Sequence, residues 1–247
     1  MVDVVIVDSG LGGISLLPTF LKELDFKNYI YYADTKFLPY GNKSLKRLLE
    51  ITIFNIKKII KKFKPKIIVF GCNTIGTTIF EQIKNYFPDQ VFYTIKPNIQ
   101  IEQEKTLLLA TNRTISFFNK TKIENKNIIL CKMNCLANKV ENNIQNPENI
   151  VPYLKRRLLK YKKIKCIILG CTHYYFVKNQ ISKLFPKAKI VDGVKNLVGQ
   201  IKATYCSIKK TNKKPKIKLF FTKNIKTKKI YKSLIKSLVY QSCRNSQ

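Results

Sequence analysis

The stretch KIIVFGCNTIG, residues 66–76, recurs in similar form as KCIILGCTHYY, residues 165–175. Each is an apolar, β-branched run that ends in Gly-Cys and is followed by small polar residues. Short apolar runs bounded in this way are typical of strands buried in a parallel sheet. The repetition therefore predicts two similar α/β halves, each with a cysteine, Cys72 or Cys171, at the carboxyl end of a strand.

The rest of the chain continues the same alternation of strands and helices. Further short strand-like runs lie at residues 4–7, 29–33, 106–110, 127–130 and 189–191, and segments of helical period lie at 45–63 and 151–161. This alternation predicts parallel sheets with helices on both faces. A last helix is expected at about residues 227–240.

Two polar segments divide the chain. KPNIQIEQEK, residues 96–105, interrupts the alternation and predicts a crossover between halves, and KKTNKKPKIK, residues 209–218, predicts a second linker. We expect two facing, pseudo-symmetric α/β domains with parallel-rich sheets and the active site in the cleft between them. The first comprises residues 1–96 plus 208–247, because the late strand KLFFT has to return to it, and the second comprises residues 97–207.

The charge of the chain is strongly basic. Its 247 residues include 47 Lys and Arg against 14 Asp and Glu, a net charge of +33, while 45% of residues are hydrophobic. That hydrophobic fraction predicts a folded globular protein. Lysine is abundant throughout, which favours a solvated basic surface over a specific nucleic-acid site, although a basic nucleic-acid-binding protein stays an alternative. The charge would attract small acidic metabolites.

The seven cysteines do not resemble a disulfide framework. The start, MVDVVIVDSG, is typical of a buried strand and not of a signal peptide, and apolar runs stay below the roughly 18 residues of a membrane span. We therefore expect a cytoplasmic protein with reduced thiols and no membrane partner. Cys166, Cys206 and Cys243 are expected to be small buried hydrophobes. Cys131 and Cys135 have the spacing C-x3-C, but no second ligand pair follows, so we interpret them as structural and expect no metal.

Cys72 and Cys171 differ from the other cysteines because their context is repeated. Ligands of parallel α/β sheets bind beyond the carboxyl ends of the strands. A helix N-terminus there should lower the thiol pKa and favour the thiolate. Two facing halves would place the two thiols on opposite sides of one cleft, a geometry suited to moving a proton from one face of a carbon to the other.

Two further motifs follow predicted strands. IVDSGLGGISLL, residues 6–17, places Asp8 and Ser9 before a glycine-rich turn but lacks the Lys-Ser/Thr of a nucleotide-binding loop and the full dinucleotide spacing. A carboxylate at this position suits an ammonium group or a proton. ADTKFLPYGNKS, residues 33–44, is a turn shaped by Pro39 and Gly41, for which an ordinary strand-to-helix loop is the alternative.

Taken together, these motifs resemble the glutamate racemase family, within the aspartate/glutamate racemase superfamily. The resemblance runs in order through VDSGLGG (7–13), YYADTKFLPYG (31–41), GCNT (71–74), ATNRT (110–114), KVE (139–141), GCTHYY (170–175), VDG (191–193) and FFT (220–222). It implies that Cys72 and Cys171 are the catalytic acid/base pair, with Asp8 beside the first thiol and His173 beside the second. The substrate contacts that it implies are Asp8, Ser9, Tyr40, Gly41, Asn73, Thr74, Thr172 and His173, with Thr114 a lesser candidate and Glu141 near the site in a divergent segment.

The family resemblance implies interconversion of L-glutamate and D-glutamate without a cofactor, the D-glutamate serving peptidoglycan synthesis, and it suggests a homodimer. Nothing in the sequence resembles a pyridoxal phosphate site, so the carbanion would have to be stabilised by fixed donors such as Asn73, Thr74 and Thr172. A thiolate would remove the α-proton at one face while a thiol donates at the other. An aspartate racemase is the alternative within the superfamily, although there an acidic residue would be more usual in place of His173.

Overall fold

The chain forms two parallel sheets flanked by helices. The computed structural model describes residues 2–99, 104–121, 125–205, 215–223 and 228–244. The strands are β1 (Val4–Asp8), β2 (Asn28–Ala33), β3 (Ile67–Phe70), β4 (Val91–Thr94), β5 (Thr106–Ala110), β6 (Ile128–Lys132), β7 (Cys166–Gly170), β8 (Lys189–Val191) and β9 (Lys216–Phe221). Every described strand pair is parallel.

The helices cover the faces of these sheets. They are α1 (Leu17–Glu23), α2 (Leu45–Phe63), α3 (Asn73–Thr78), α4 (Phe80–Tyr86), α5 (Asn112–Lys120), α6 (Leu136–Asn143), α7 (Val151–Leu158), α8 (Lys178–Leu184), α9 (Val194–Tyr205) and α10 (Lys228–Arg244). Four short 3₁₀ helices lie at Gly12–Leu16, Tyr40–Asn42, Pro147–Ile150 and Thr172–Val177. α2 begins where Ser44 accepts a hydrogen bond from the Arg47 N–H and ends at Lys64 in the left-handed region, as capping chemistry favours.

The two sheets repeat one strand order. The first has the order β4-β3-β1-β2-β9, and the second, taken from its β8 edge, has the order β8-β7-β5-β6. β3 and β7 thus occupy corresponding interior positions, and both are buried along their whole length. The predicted pseudo-symmetric α/β architecture is confirmed, and it brings each Gly-Cys pair to the carboxyl end of a corresponding strand.

A few elements differ from the sequence-based expectation. β4 was not predicted; its short sequence VFYT forms an edge strand in which Val91 is exposed. α7 ends at Leu158, before the predicted end at residue 161. The last residues of the predicted linker, 216–218, belong to β9, which pairs with β2. The boundary at residue 208 lies outside the described residues, and the domain division stays a proposal.

One hydrophobic core joins the two sheets. Its buried members include Ile6 of β1, Leu109 of β5, Leu169 of β7 and Tyr231 of α10. α10 packs against α1, and so returns the last described segment to the side of the first sheet. Within the ranges that the structure describes, no helix is long and apolar enough to cross a membrane.

The remaining cysteines fall into two groups. Cys131 and Cys166 are buried, as predicted for structural cysteines. Cys135 departs from that prediction: it is exposed, in the left-handed region at the start of α6, where it lines the cleft described below. Cys206 lies outside the described residues, as does the side chain of Cys243.

Candidate active site

The carboxyl ends of β1, β3 and β7 meet at one cleft between the two sheets. Cys72 follows β3 and Cys171 follows β7; both thiols are more than nine-tenths buried and line this cleft. The other predicted site residues that line it are Ser9, Tyr40, Gly41, Asn73, Thr74, Thr172 and His173. Asp8 is completely buried and does not line the cleft itself but lies behind it. The structure therefore brings together the side chains that the motifs singled out.

The space within this cleft is small. The cavity has a volume of about 30 Å³, which suffices for one or two water molecules. An amino acid is larger than that, so a substrate enters only if the walls contributed by the two sheets move apart. Cys72 and Cys171 are 7% and 8% exposed in this conformation.

Burial controls the protonation of Cys72. It raises the pKa of this thiol well above its usual range, and the nearby charge of Asp8 raises it further. The N–H groups of Ile75 and Thr74 in α3 act in the opposite direction, but with smaller effect. The expectation that a helix N-terminus would favour the thiolate is therefore wrong for Cys72, which is a neutral thiol near pH 7.

Asp8 connects the end of β1 to the segment after β7. Its Oδ2 accepts a hydrogen bond from the Thr172 hydroxyl at 3.0 Å, and its Oδ1 accepts from the Ser9 hydroxyl at 3.2 Å and the Gly10 N–H at 3.3 Å. Burial nevertheless raises the pKa of Asp8 to about 6, against the opposing effects of His173 and these donors. The carboxyl group thus changes charge close to neutral pH.

His173 lies between Cys171 and Glu141. Its Nδ1 is 3.8 Å from the Cys171 Sγ, and its Nε2 is 2.8 Å from the Glu141 Oε1. Burial alone lowers the pKa of His173, but the hydrogen bonds to Cys171 and Glu141, together with their charges, raise it well above its usual range. The ring is therefore an imidazolium at neutral pH, with one N–H directed to the Cys171 sulfur and the other to the Glu141 carboxylate.

Glu141 takes a more direct part in this arrangement than its divergent segment suggested. Besides His173, its Oε1 accepts from the Leu11 N–H at 2.6 Å, and its Oε2 accepts from the Tyr231 hydroxyl at 2.9 Å. This contact links the turn after β1 to the second half of the chain.

The glycine-rich turn serves close packing. A Cβ at Gly10 would lie 1.9 Å from the Glu141 Oε1, and a Cβ at Gly12 would lie 2.5 Å from the His173 Nδ1. Real side chains do not approach so closely, so glycine is required at both positions. This glycine-rich turn after β1, whose sequence partly resembles a phosphate-binding loop, is the surface against which Glu141 and His173 pack.

Asn73 supplies unpaired polar atoms to the cleft. It is 2% exposed, and among the described residues neither its Oδ1 nor its Nδ2 has a hydrogen-bond partner. A buried amide without partners is costly, and such groups in native proteins call for an explanation. Its position in the cleft wall makes it suited to a polar ligand.

Two other residues predicted to contact the substrate, Tyr40 and Thr114, form hydrogen bonds within the protein. The Tyr40 hydroxyl donates to Asp34 at 2.5 Å, so toward a substrate its oxygen could act only as an acceptor. Thr114 is completely buried and does not line the cleft; its hydroxyl bonds to Thr111, which does. Thr111 also lies 3.1 Å from the Thr74 hydroxyl, and its helix-capping position before α5 was the signal that could have identified it.

Sequence reasoning missed part of the cleft wall. Asn42, Asn112, Asn134, Cys135 and Asn138 also line it. The last three come from the turn after β6 and the start of α6, a segment that carries no recognisable motif. Across the described ranges, no three His, Cys, Asp or Glu side chains converge in a way that could hold a metal ion.

Comparisons with known proteins agree with this geometry. The chain is 32% identical over 209 residues to a glutamate racemase of Clostridium acetobutylicum, covering 80% of this chain and 81% of the relative. It is 33% identical over 209 residues to glutamate racemase 2 of Bacillus subtilis, covering 79% and 78%. No protein-family model matches the chain.

Solved structures show the same fold. Glutamate racemase of Escherichia coli, in complex with L-glutamate and the activator UDP-MurNAc-Ala, aligns with a TM-score of 0.79 at 19% identity, covering 98% of this chain and 96% of that one. Glutamate racemase of Francisella tularensis, in complex with D-glutamate, aligns with a TM-score of 0.77 at 19% identity, covering 97% and 94%.

Proposed function

Because the chain belongs to the glutamate racemase family, we propose that it interconverts L-glutamate and D-glutamate by proton transfer between two cysteines, without a cofactor. It is an amino-acid racemase, an isomerase that acts on a small molecule. The observation that carries the mechanism is the pairing of two buried thiols across one cleft, each with its own titratable partner. Asp8 accompanies Cys72, and His173 with Glu141 accompanies Cys171.

The protonation states support different roles for Cys72 and Cys171. Cys72, held as a thiol by burial and by Asp8, is ready to donate a proton. Cys171 lies beside the imidazolium of His173, which can donate a proton to a Cys171 thiolate and, once neutral, can take a proton back from the Cys171 thiol. One group removes the α-proton from one face while the other donates to the opposite face, and the pair ends the cycle with its roles reversed. The next turnover then starts from the other enantiomer.

The remaining side chains bind the substrate in this proposal. The amide of Asn73, unpaired among the described residues, is a neutral donor suited to a substrate carboxylate, where it would stabilise the charge that develops when the α-proton leaves. The hydroxyls of Thr74 and Thr172 join it as donors once they turn from their present partners, Thr111 and Asp8. The hydroxyl oxygen of Ser9, which lines the cleft, suits the ammonium group, and the carboxylate of Asp8 behind it adds negative charge that would attract that group. The basic surface of the chain attracts a dicarboxylate from solution.

The chirality of the product tests this proposal. Purified protein is incubated with L-glutamate, and separately with L-aspartate, without added cofactor, and the enantiomers are separated by chiral chromatography. We expect D-glutamate to form and D-aspartate to form much more slowly, because His173 stands where aspartate racemases more often have an acidic residue. Conversion of aspartate alone would replace this proposal by the aspartate alternative, and conversion of neither would favour a non-enzymatic function.

We infer further that the reaction runs in the cytoplasm and that its D-glutamate supplies peptidoglycan synthesis. Cells depleted of this protein should then need external D-glutamate to keep their shape and divide. The homodimer that the resemblance suggests is a separate prediction, which light scattering of the purified protein tests.

A further inference from the structure

Tyr231 connects the last helix of the chain to the candidate active site. It lies in the first turn of α10, a helix that was predicted from the sequence but had no part in the predicted site. The side chain is 2% exposed, and its ring packs edge-to-face on Phe221 of β9 with centroids 5.2 Å apart. Its hydroxyl donates to the Glu141 Oε2 at 2.9 Å. Position and orientation of this hydroxyl are thus set by the core.

Glu141 holds three partners from separate parts of the chain. The Leu11 N–H and the His173 Nε2 share Oε1, while Tyr231 is the donor to Oε2 within the described residues. The terminal torsion of a glutamate has a broad, two-fold preference, so the carboxylate plane is not fixed by its own chain. A donor on each oxygen fixes that plane. Removing the Oε2 donor would leave a buried oxygen unpaired, which favours rotation of the carboxylate away from His173.

We propose that Tyr231 is a positioning residue for racemisation, orienting Glu141 so that Glu141 in turn holds His173 with its Nδ1 toward Cys171. The effect of Tyr231 on catalysis rests on the proposed function. Its effect on the orientation of Glu141 and His173 does not. Burial and the charge of Glu141 raise the pKa of Tyr231, so its hydroxyl stays protonated and remains a donor at neutral pH.

The contact should affect one thiol and not the other. His173 and Glu141 serve Cys171, whereas Cys72 interacts with Asp8. Loss of the Tyr231 hydroxyl therefore slows proton transfer at Cys171 selectively. Because the two enantiomers have equal free energies, kcat/KM must fall by the same factor in both directions. In one direction the transfer at Cys171 comes first, and in the other it comes second. Primary isotope effects of the substrate show how far the first transfer limits the rate in each direction.

The kinetic test compares Tyr231→Phe with Tyr32→Phe. The control also removes a buried hydroxyl with one hydrogen bond, donated to the Asn55 Oδ1 at 3.0 Å, in the core beneath α2, which contains Cys72 and not Cys171. For Tyr231→Phe we expect kcat to fall about 10-fold, the lower end of the range for partners that orient a functional histidine, with KM changed much less. With α-deuterated substrates, the isotope effect on kcat/KM should rise for the enantiomer whose proton Cys171 removes and fall for the other.

Two kinetic outcomes would overturn the positioning role. One is isotope effects in Tyr231→Phe that match those of the unmodified protein for both enantiomers. The other is an equal change in Tyr32→Phe, which would indicate a general loss of stability.

A second measurement needs no turnover. The chain has a single histidine, so every imidazole signal in a nitrogen-15 NMR spectrum belongs to His173. We expect the Nε2-bound proton to exchange slowly with solvent in the unmodified protein and in Tyr32→Phe, and at least about 10-fold faster in Tyr231→Phe, because its hydrogen bond to Glu141 is weakened. Unchanged His173 signals in Tyr231→Phe would refute the positioning role. The same spectral change in a protein that does not racemise glutamate would support the role and refute only the proposed function.

Discussion

Replacing Asp8 by asparagine should make the protein more stable at neutral pH while removing most of its activity. Asp8 is completely buried, and burial raises its pKa from 3.8 to about 6. An acid with a raised pKa in the folded state is disfavoured there in its ionised form. The destabilisation is therefore absent below pH 3.8, develops as the pH rises toward about 6, and is complete above that value.

The size of the effect follows from the difference between the two pKa values. A difference of one corresponds to 1.36 kcal/mol, so ionised Asp8 lowers the free energy of unfolding by about 3 kcal/mol at pH 8. Asparagine has nearly the same shape and no charge. Its amide oxygen can accept from Ser9 and Gly10, and its NH₂ group can donate to the Thr172 hydroxyl once that hydroxyl rotates. Activity should fall about 10²-fold or more, because Asp8 assists proton transfer at Cys72 in the proposed mechanism.

The assay is urea unfolding followed by far-UV circular dichroism, since the chain has no tryptophan. Both proteins are measured at several values between about pH 4.5 and about pH 8, and the difference in unfolding free energy should grow by about 2 kcal/mol over that range. The change of this free-energy difference with pH contains no pH-independent effect of the asparagine side chain on stability. A difference that does not vary with pH, or that grows toward acid, would refute the assignment of a raised pKa to Asp8.

Three further outcomes follow from the same structure. Cys72→Ala and Cys171→Ala should each abolish racemisation of both enantiomers in a chiral assay, because each direction needs one base and one acid; near-normal turnover in either would make the repeat purely structural. Gly12→Ala should lower kcat at least about 10²-fold, because its Cβ would lie 2.5 Å from the His173 Nδ1. The control Gly199→Ala has open space around its Cβ in α9, so it should keep full activity and gain up to about 1 kcal/mol in unfolding free energy. Binding to duplex DNA, measured by fluorescence anisotropy, should be independent of sequence and should disappear steeply as salt rises; sequence discrimination at physiological salt would revive the nucleic-acid alternative.

Much of the architecture could be predicted from the sequence because parallel strands are buried on both faces. Continuous β-branched runs such as those of β3 and β7 result directly from that burial. β4 escaped prediction because an edge strand needs no such run, and Val91 is exposed. The late strand KLFFT was expected to return to the first half of the chain, but its pairing with β2 was not predicted.

The site was predictable to the extent that its residues sit in local motifs. The contact of Glu141 with His173 spans 32 positions, and that with Tyr231 spans 90, and neither segment carries a pattern that indicates the other. The protonation of Cys72 shows the same limit. The helix N-terminus that lowers a thiol pKa is visible in the sequence, whereas complete burial and the proximity of Asp8, which outweigh it, arise only when the strands assemble.

Proton transfer between two thiols on opposite faces of the substrate is most directly tested by racemisation in deuterium oxide. L-glutamate is incubated with the enzyme, and the α-position of both enantiomers is followed by mass spectrometry or proton NMR during the first few per cent of conversion. In the proposed mechanism the incoming proton comes from a thiol that exchanges with solvent, so early D-glutamate should carry deuterium while the remaining L-glutamate stays largely protiated. Early D-glutamate that retains the original proton would contradict the two-thiol mechanism, because one base would then have carried that proton from one face to the other.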